Sequence, residues 1–315
     1  MKRCCLALLI FAVLLAGCAR LPAVMEDPQD AVETPDTSQT PVVTAAPDPI
    51  PAPDPVPAPL PTPKIQEAWY RERTEQMRSW METYGAYADE AAIDSQLALW
   101  EIDPDKPMIA LTFDDGPKPG ITDKIMDVLL QYNARATFFV LGWRLKKDPE
   151  ITAALMQRML AQGCEIGNHT WSHQIMVSMS AAEIRDQIMR TNKIINDLTG
   201  YTPRAFRPPG GTGSGKTRYQ AERLDMAVTL WSQSGNVKLS DPHEIADTVL
   251  LQQVNGRALQ SGDIVLLHDT KDYMVTAMEI LIPKLLEQGY QLVTVQELLR
   301  LSENGFVSGE VYRCQ

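Results

Sequence analysis

Short apolar runs alternate with amphipathic stretches between residues 108 and 300, and this alternation predicts strands and helices in turn. The predicted strands are Met108–Phe113, Ala136–Leu141, Cys164–Gly167, Ala205–Phe206, Ala227–Trp231, Ile264–Leu267 and Gln291–Val295. The predicted helices are Thr122–Tyr132, Glu150–Gln162, Ala181–Leu198, Thr217–Leu224, Pro242–Asn255 and Met274–Gln288. Repeated strand–helix units indicate an α/β fold with a parallel sheet, and we expect a distorted (β/α)7-8 barrel. Its functional face would lie at the carboxyl ends of the strands.

The first residues have the pattern of an export signal. Lys2 and Arg3 precede an apolar run, Leu6–Leu15, that is too short to remain as a membrane-spanning helix. The run ends in "LLAGC", which resembles a lipobox, so we expect a signal peptide over residues 1–17 and lipidation of Cys18. The alternative is an ordinary signal with an incidental cysteine.

Three further segments differ in composition from the strand–helix region. Residues 18–63 are rich in proline and lack aromatic residues, which predicts an extended linker. Residues 64–103 contain strong helix formers and predict an N-terminal helical extension on a domain spanning 104–302, with a C-terminal tail at 303–315. The extension has large side chains at three- and four-residue steps: Trp69, Arg73, Met77, Trp80 and Tyr84.

Charge and cysteine content exclude some classes of partner. The net charge is -11, which argues against nucleic acid and against binding to anionic lipid by charge alone. Beyond Cys18, only Cys164 and Cys314 remain, and their wide separation indicates no disulfide framework.

Several chemically active residues directly follow predicted strands. Asp114 and Asp115 follow the first, His169 and His173 the third, and Arg207 the fourth. His268 follows the sixth strand, whereas the remaining histidine, His243, begins a predicted helix. In a parallel barrel these positions share one rim, so we predict a functional site there.

The spacing of His169 and His173 is four residues, which places both imidazoles on one side of a helical turn. Two imidazoles and one carboxylate leave positions open for water and substrate, as a catalytic metal site requires. The alternative is a pair of surface histidines without a ligand.

The motifs "TFDDGP", "HTWSH", "FRPPG", "LW" and "IVLLHD" occur in this order and resemble the polysaccharide deacetylase family (NodB-homology domain, carbohydrate esterase family four). The resemblance covers about Pro107 to Arg300 and implies a polysaccharide deacetylase-like barrel that uses a divalent metal. It implies Zn²⁺ first, with Co²⁺, Mn²⁺ or Ni²⁺ as alternatives.

The resemblance also implies a role for each matching residue. Asp114 matches the catalytic base, His268 the general acid, and Arg207 the residue that positions Asp114. The metal ligands would be Asp115, His169 and His173. Leu266 and Trp231 would form the walls of the acetyl pocket.

Two positions depart from the family pattern. Gly210 replaces the usual aromatic residue after Arg-Pro-Pro, although its N–H can still contact the oxyanion. Ser234 replaces an aspartate that normally adjusts the acid histidine, which leaves Asp241 and Asp269 as candidates for that task.

The loop "GGTGSGKT", Gly210–Thr217, also matches a phosphate-binding loop. Three prolines in "TPRAFRPP" disfavour the buried strand that such a loop needs, so we expect no nucleotide here. We expect a loop at the rim of a sugar groove, where Lys216 is either a solvated charge or a contact for wall-peptide carboxylates.

These observations predict an exported bacterial membrane lipoprotein that faces the cell wall. Its expected activity is hydrolysis of N-acetyl groups on a cell-envelope polysaccharide, with peptidoglycan N-acetylglucosamine as the leading substrate. The alternatives are deacetylation of chitin, xylan or an exopolysaccharide, and a non-catalytic glycan-binding lipoprotein.

Overall fold

The computed structural model of the chain describes residues 72, 75, 76, 79, 90–235, 238–251, 257–302 and 305–314. The predicted signal peptide, the lipidated cysteine and the proline-rich linker lie outside the described residues. So do the five large side chains predicted to form a stripe on the extension: Trp69, Arg73, Met77, Trp80 and Tyr84. Within the described part, no helix has both the length and the apolar character needed to cross a membrane.

Strands and helices alternate through most of the described chain. The helices are α1 Glu90–Leu99, α2 Thr122–Gln131, α3 Gly142–Lys147, α4 Pro149–Ala161, α5 Ala181–Thr199, α6 Gly215–Glu222, α7 Pro242–Leu251, α8 Tyr273–Glu287 and α9 Val295–Arg300. The strands are β1 Met108–Asp114, β2 Thr137–Val140, β3 Glu165–Asn168, β4 Ala205–Phe206, β5 Ala227–Thr229, β6 Gln233–Ser234, β7 Ile264–His268, β8 Gln291–Leu292 and β9 Val311–Tyr312.

The strands form one parallel sheet that curls into a distorted barrel, as predicted. Their order is β6-β7-β1-β2-β3-β4-β5-β9, and β8 pairs with the first residues of β1. The central strand β1 pairs with β2 on one side, over Thr112–Asp114, and with β7 on the other, over Ala110–Asp114. An antiparallel bridge between Asp263 and Cys314 connects segments near the two ends of this series.

Alternation along β1 separates an outer face from an inner face. Ile109, Leu111 and Phe113 belong to the large apolar core that the outer helices cover. Met108 and Ala110 point the other way, into a second apolar cluster inside the curl. Because side chains alternate with a period of two, Thr112 and Asp114 share this inner face. The strand therefore presents a carboxylate at the carboxyl end of the barrel interior.

Several elements differ from the predicted pattern. Helix α3 and strand β6 were not predicted, and the predicted strand Gln291–Val295 ends at Leu292. Thr294 then caps α9 through a reciprocal contact with Glu297, so Val295 starts a helix. Residues 303–315, predicted as a tail, contribute β9, which pairs in parallel with β5.

Helix α1 is the part of the predicted helical extension whose packing the structure describes. Ile93 and Leu97 of this helix are buried and pack against Ile102 and Leu301. An ion pair of 2.9 Å between Asp94 and Arg300 joins α1 to α9. Helix α1 therefore packs on the barrel at its last helix.

A buried ion pair connects the residues just before β2 to helix α9. The guanidinium of Arg135 donates a hydrogen bond to the Glu297 carboxylate, and each of the two side chains is only 1% exposed. Arg135 also lies 4.8 Å from the centre of the Trp100 ring, and its Nη2 has no hydrogen-bond partner among the described residues. Removing one charge from such a pair leaves the other uncompensated in the interior.

We predict that Glu297→Gln lowers the free energy of unfolding by about 3–5 kcal/mol, because the Arg135 charge loses its counterion while the side-chain volume is kept. Glu310→Gln is the matched control, since its pair with Arg218 is half exposed, and it should cost less than about 1 kcal/mol. Urea unfolding followed by circular dichroism measures both. Equal losses in the two variants would contradict this account of the buried pair.

Candidate functional site

The predicted functional residues converge at the carboxyl ends of four strands. Asp114 ends β1 and His268 ends β7, where the two residues are paired in register. His169 directly follows β3, and Arg207 directly follows β4. The shared rim expected for a parallel sheet is therefore present, although the catalytic roles of these residues stay predictions.

Asp115, His169 and His173 form a set that can hold a metal ion. One ligand atom from each lies within 4.8 Å of the others. Oδ1 of Asp115 lies 3.2 Å from Nε2 of His173 and 3.6 Å from Nε2 of His169. That oxygen is buried, and no described residue donates a hydrogen bond to it. A divalent cation would satisfy this orphaned oxygen, and two nitrogens with one oxygen suit zinc and similar metals.

The backbone around these ligands adopts a conformation that non-glycine residues rarely take. The φ angles of Asp115, Thr170 and His173 are 73°, 73° and 57°. Each such residue costs of the order of 1–3 kcal/mol, and such residues cluster at binding sites. Two of the three are predicted ligands, so the strain lies where a bound ion would offset it.

Polar side chains hold the loop between the two histidines in place. Asn168 Oδ1 accepts a hydrogen bond of 2.7 Å from the Thr170 N–H. Nδ2 of Asn168 donates to the carbonyl of Ile188, at 2.9 Å. The Thr170 hydroxyl in turn accepts from the His173 N–H, at 3.1 Å. The sequence interpretation missed Asn168, whose signal is a buried polar residue at the end of an apolar strand.

His169 is oriented through its other ring nitrogen. Its Nδ1 lies 2.7 Å from the carbonyl oxygen of Arg207, which assigns the proton to Nδ1 and leaves the Nε2 lone pair free for a metal. Burial lowers the pKa of His169, against the opposing attraction of Asp114 and Asp115. The neutral ring is the form that binds metals.

Arg207 is buried, and all three nitrogens of its guanidinium donate hydrogen bonds. Its Nη1 donates to Oδ1 of Asp114, at 2.8 Å, and to the hydroxyl of Thr112, at 2.7 Å. Nε and Nη2 donate to the carbonyls of Thr229 and Leu230. Those carbonyls face the guanidinium where the predicted strand Ala227–Trp231 ends early, at Thr229. Asp114 is therefore held in one orientation beside a permanent positive charge.

Thr112 is a second residue that the sequence interpretation missed. Its hydroxyl accepts from Arg207 and donates to the carbonyl of Val265 on the neighbouring strand, at 2.7 Å. The signal was a single threonine within the apolar run "IALTF".

His268 lies at the open side of the ligand set. Its Nε2 is 4.0 Å from Oδ2 of Asp115, and its side chain is 28% exposed. A substrate can therefore reach this imidazole from solvent.

Neither aspartate proposed as a partner for His268 hydrogen-bonds to it among the described residues. Asp241 accepts hydrogen bonds from the N–H groups of His243 and Glu244 and so caps α7. Asp269 accepts from the Thr122 hydroxyl at 2.5 Å. A Cβ on Gly116 would meet Asp269 Oδ2 at 2.1 Å, so the carboxylate packs under the Asp115–Gly116 turn. Burial raises the pKa of Asp269 to about 7.

The residues predicted to contact substrate lie around the same rim. Gly210 is exposed and has a φ of 63°, in a tight turn over Pro209–Gly211. No described residue accepts a hydrogen bond from its N–H. Trp231 packs over Gly211, where a Cβ would approach its ring to 2.7 Å. Leu266 lines a cavity together with Asp115 and His268.

The loop Gly210–Thr217 enters α6. Ser214 caps that helix, and its side chain and that of Thr217 each accept from the other residue's backbone N–H. The hydroxyl of Thr217 is buried in this capping contact, and Lys216 is exposed in the first turn.

A family model described as polysaccharide deacetylase matches residues 101–229. The peptidoglycan-N-acetylmuramic acid deacetylase PdaC of Bacillus subtilis is 41% identical over 198 residues, which cover 62% of this chain and 40% of that protein. The chain thus spans less than half of this relative. A peptidoglycan-N-acetylglucosamine deacetylase of Bacillus cereus is 37% identical, over 64% of this chain and 92% of that protein.

The fold agrees with a solved structure of known activity. A family 4 acetyl xylan esterase from Clostridium thermocellum, solved in complex with a cobalt ion, superposes with a TM-score of 0.58. It is 33% identical, and the match covers 66% of this chain and 98% of that one. With the ligand set, the Arg207–Asp114 pair and these similarities, the chain belongs to the polysaccharide deacetylase family.

Proposed function

We propose that this chain is a metal-dependent hydrolase that removes N-acetyl groups from a cell-wall polysaccharide. The observation that carries the proposal is the arrangement of two carboxylates with different surroundings. Asp115 faces two imidazoles, whereas Asp114 is 3% exposed and faces the buried guanidinium of Arg207. One carboxylate is thus placed to bind a cation, while a permanent positive charge holds its neighbour in an orientation in which it can accept a proton.

Asp115, His169 and His173 would hold the cation, and we propose Zn²⁺. When bound there, a divalent metal would polarise the acyl carbonyl and make a water molecule more acidic.

The chain's own residues account for the proton transfers and for charge stabilisation. Asp114 would accept a proton from the attacking water, since Arg207 fixes the direction of its carboxylate. The Gly210 N–H would donate to the carbonyl oxygen as negative charge develops on it. His268, which is open to solvent, would donate a proton to the leaving nitrogen.

We propose peptidoglycan N-acetylglucosamine as the substrate. The relatives from two Bacillus species are named for deacetylation of peptidoglycan, one at N-acetylglucosamine and one at N-acetylmuramic acid. An exposed rim with Trp231 and the loop Gly210–Thr217 beside the site suits an extended sugar chain better than a small enclosed ligand.

We also propose that the chain is exported and anchored in the bacterial membrane by lipid on Cys18. The support is the sequence pattern alone: two positive residues, an apolar run and "LLAGC". Two or more acyl chains on Cys18 would give stable anchoring. The proline-rich residues 18–63 would then set the distance between membrane and domain.

We predict that the zinc-reconstituted chain releases acetate from purified peptidoglycan, and that Asp114→Asn lowers kcat by about 10²–10⁴-fold because the proton acceptor is lost. His243→Asn is the control, since His243 is exposed at the start of α7 and is not one of the three residues that can hold a metal. Acetate is measured enzymatically, with N-acetylglucosamine and N-acetylmuramic acid oligomers as separate substrates.

Acetate release from the N-acetylmuramic acid oligomer alone would contradict N-acetylglucosamine as the substrate but would still support the proposed deacetylation reaction. No acetate from any acetylated glycan, with one zinc bound per chain, would favour the non-catalytic glycan-binding protein instead.

We predict that a bacterial host expressing the full chain incorporates radiolabelled palmitate into it, and that Cys18→Ser abolishes the label and moves the protein out of the membrane fraction. Cys314→Ser is the matched control and should change neither result. Membrane retention of unlabelled Cys18→Ser would contradict the lipid anchor.

A further inference from the structure

An apolar cavity opens beside the reacting groups. Its volume is about 230 Å³, and Asp115 and His268 both line it. The rest of its wall comes from β7, from the segment after β6, from the first turns of α7 and α8, and from two polar residues between β7 and α8, Thr270 and Lys271. The apolar members of that wall are Leu239, Ile245, Leu266, Leu267, Tyr273 and Met274.

Directly after β6 the cavity wall is formed by a glycine. Gly235 follows β6, and its N–H donates to the carbonyl of Leu266 at 3.0 Å. A Cβ on Gly235 would approach Leu267 to 2.8 Å and Ile245 to 3.1 Å. Leu239, which is half-buried, and Tyr273 pack against the main apolar core from this side. The cavity therefore lies in a well-packed part of the fold.

Its size exceeds what an acetyl group needs. An apolar cavity of about 150 Å³ holds a benzene molecule, whereas an acetyl group adds only one methyl beyond its carbonyl. The cavity is larger than that, and Leu239 and Met274 line it as well as Leu266. An alkyl chain attached to a carbonyl held between Asp115 and His268 could enter it directly.

We propose that this cavity binds the alkyl part of N-acyl groups longer than acetyl, such as propionyl and butyryl. The inference rests on the proposed function, because it extends the acyl group accepted at the same site. The reaction is unchanged: water adds to the amide carbon, the C–N bond breaks, and the products are a carboxylate and a protonated amine. The substrate class is thus an N-acylated amino sugar whose acyl chain has two to four carbons.

The expected effect follows from burial of apolar surface. Each added methylene buried in the cavity should improve kcat/KM by up to about fourfold, the equivalent of one buried CH₂. A site that fits only methyl would instead lose about 10-fold or more per added methylene, through steric overlap. Lengthening the acyl chain therefore raises kcat/KM in the first case and lowers it in the second.

The test compares chitotetraose fully N-acylated with acetyl, propionyl or butyryl groups, using the zinc-loaded full chain. Release of each carboxylate gives kcat/KM for the series, and we expect propionyl and butyryl to equal or exceed acetyl. Leu239→Trp should lower the butyryl-to-acetyl ratio by about 10-fold, because the indole would fill the cavity. Leu251→Trp, on α7 and 70% exposed, should leave the ratio unchanged.

A binding measurement gives a second readout that needs no turnover. Butyrate should bind the zinc-loaded wild type more tightly than acetate in calorimetry, and Leu239→Trp should abolish that difference. A 10-fold or larger loss of kcat/KM from acetyl to propionyl, with acetyl activity present, would overturn the inference alone. Absence of activity on every acyl group would overturn the proposed function, and butyrate binding no tighter than acetate would overturn the cavity's role.

Discussion

The buried charge of Arg207 is the constraint on which the site depends. A guanidinium inside the barrel needs a full set of acceptors, and the chain supplies Asp114, Thr112 and two backbone carbonyls. Satisfying that charge fixes Asp114 at the end of β1. The backbone carbonyl of the same arginine orients His169. One residue therefore sets the position of both a carboxylate that can accept a proton and an imidazole that can bind metal.

The neighbouring ligand set is organised at a conformational cost. Asp115 and His173 hold left-handed backbone angles, and Oδ1 of Asp115 is buried without a hydrogen-bond donor among the described residues. Strain and an orphaned carboxylate oxygen are both unfavourable in a site built only for packing. A cation bound by Asp115, His169 and His173 would offset both costs, and His169 beside them has a pKa lowered by burial.

The sequence predicted the parallel barrel and the shared rim well, because apolar periodicity and strand-end positions follow from local chemistry. It overlooked one local signal: Val295 looks like a continuation of a strand, but the capping pair Thr294 and Glu297 starts a helix there. Elsewhere it failed where a contact between residues distant in sequence determines the structure. Strand β9 pairs with β5, which lies far away in sequence. Asp269 was a candidate partner for His268, yet its contact is with Thr122, far away in sequence. Such pairings depend on the whole fold.

The central claim is that Asp115, His169 and His173 bind one divalent cation through specific atoms. Anomalous diffraction at the zinc edge, from crystals of the zinc-loaded protein, tests it most directly. The account predicts a single strong peak about 2.0–2.2 Å from Oδ1 of Asp115 and from Nε2 of both histidines. A peak at other side chains, or ligation of His169 through Nδ1 with its hydrogen bond to Arg207 broken, would contradict it.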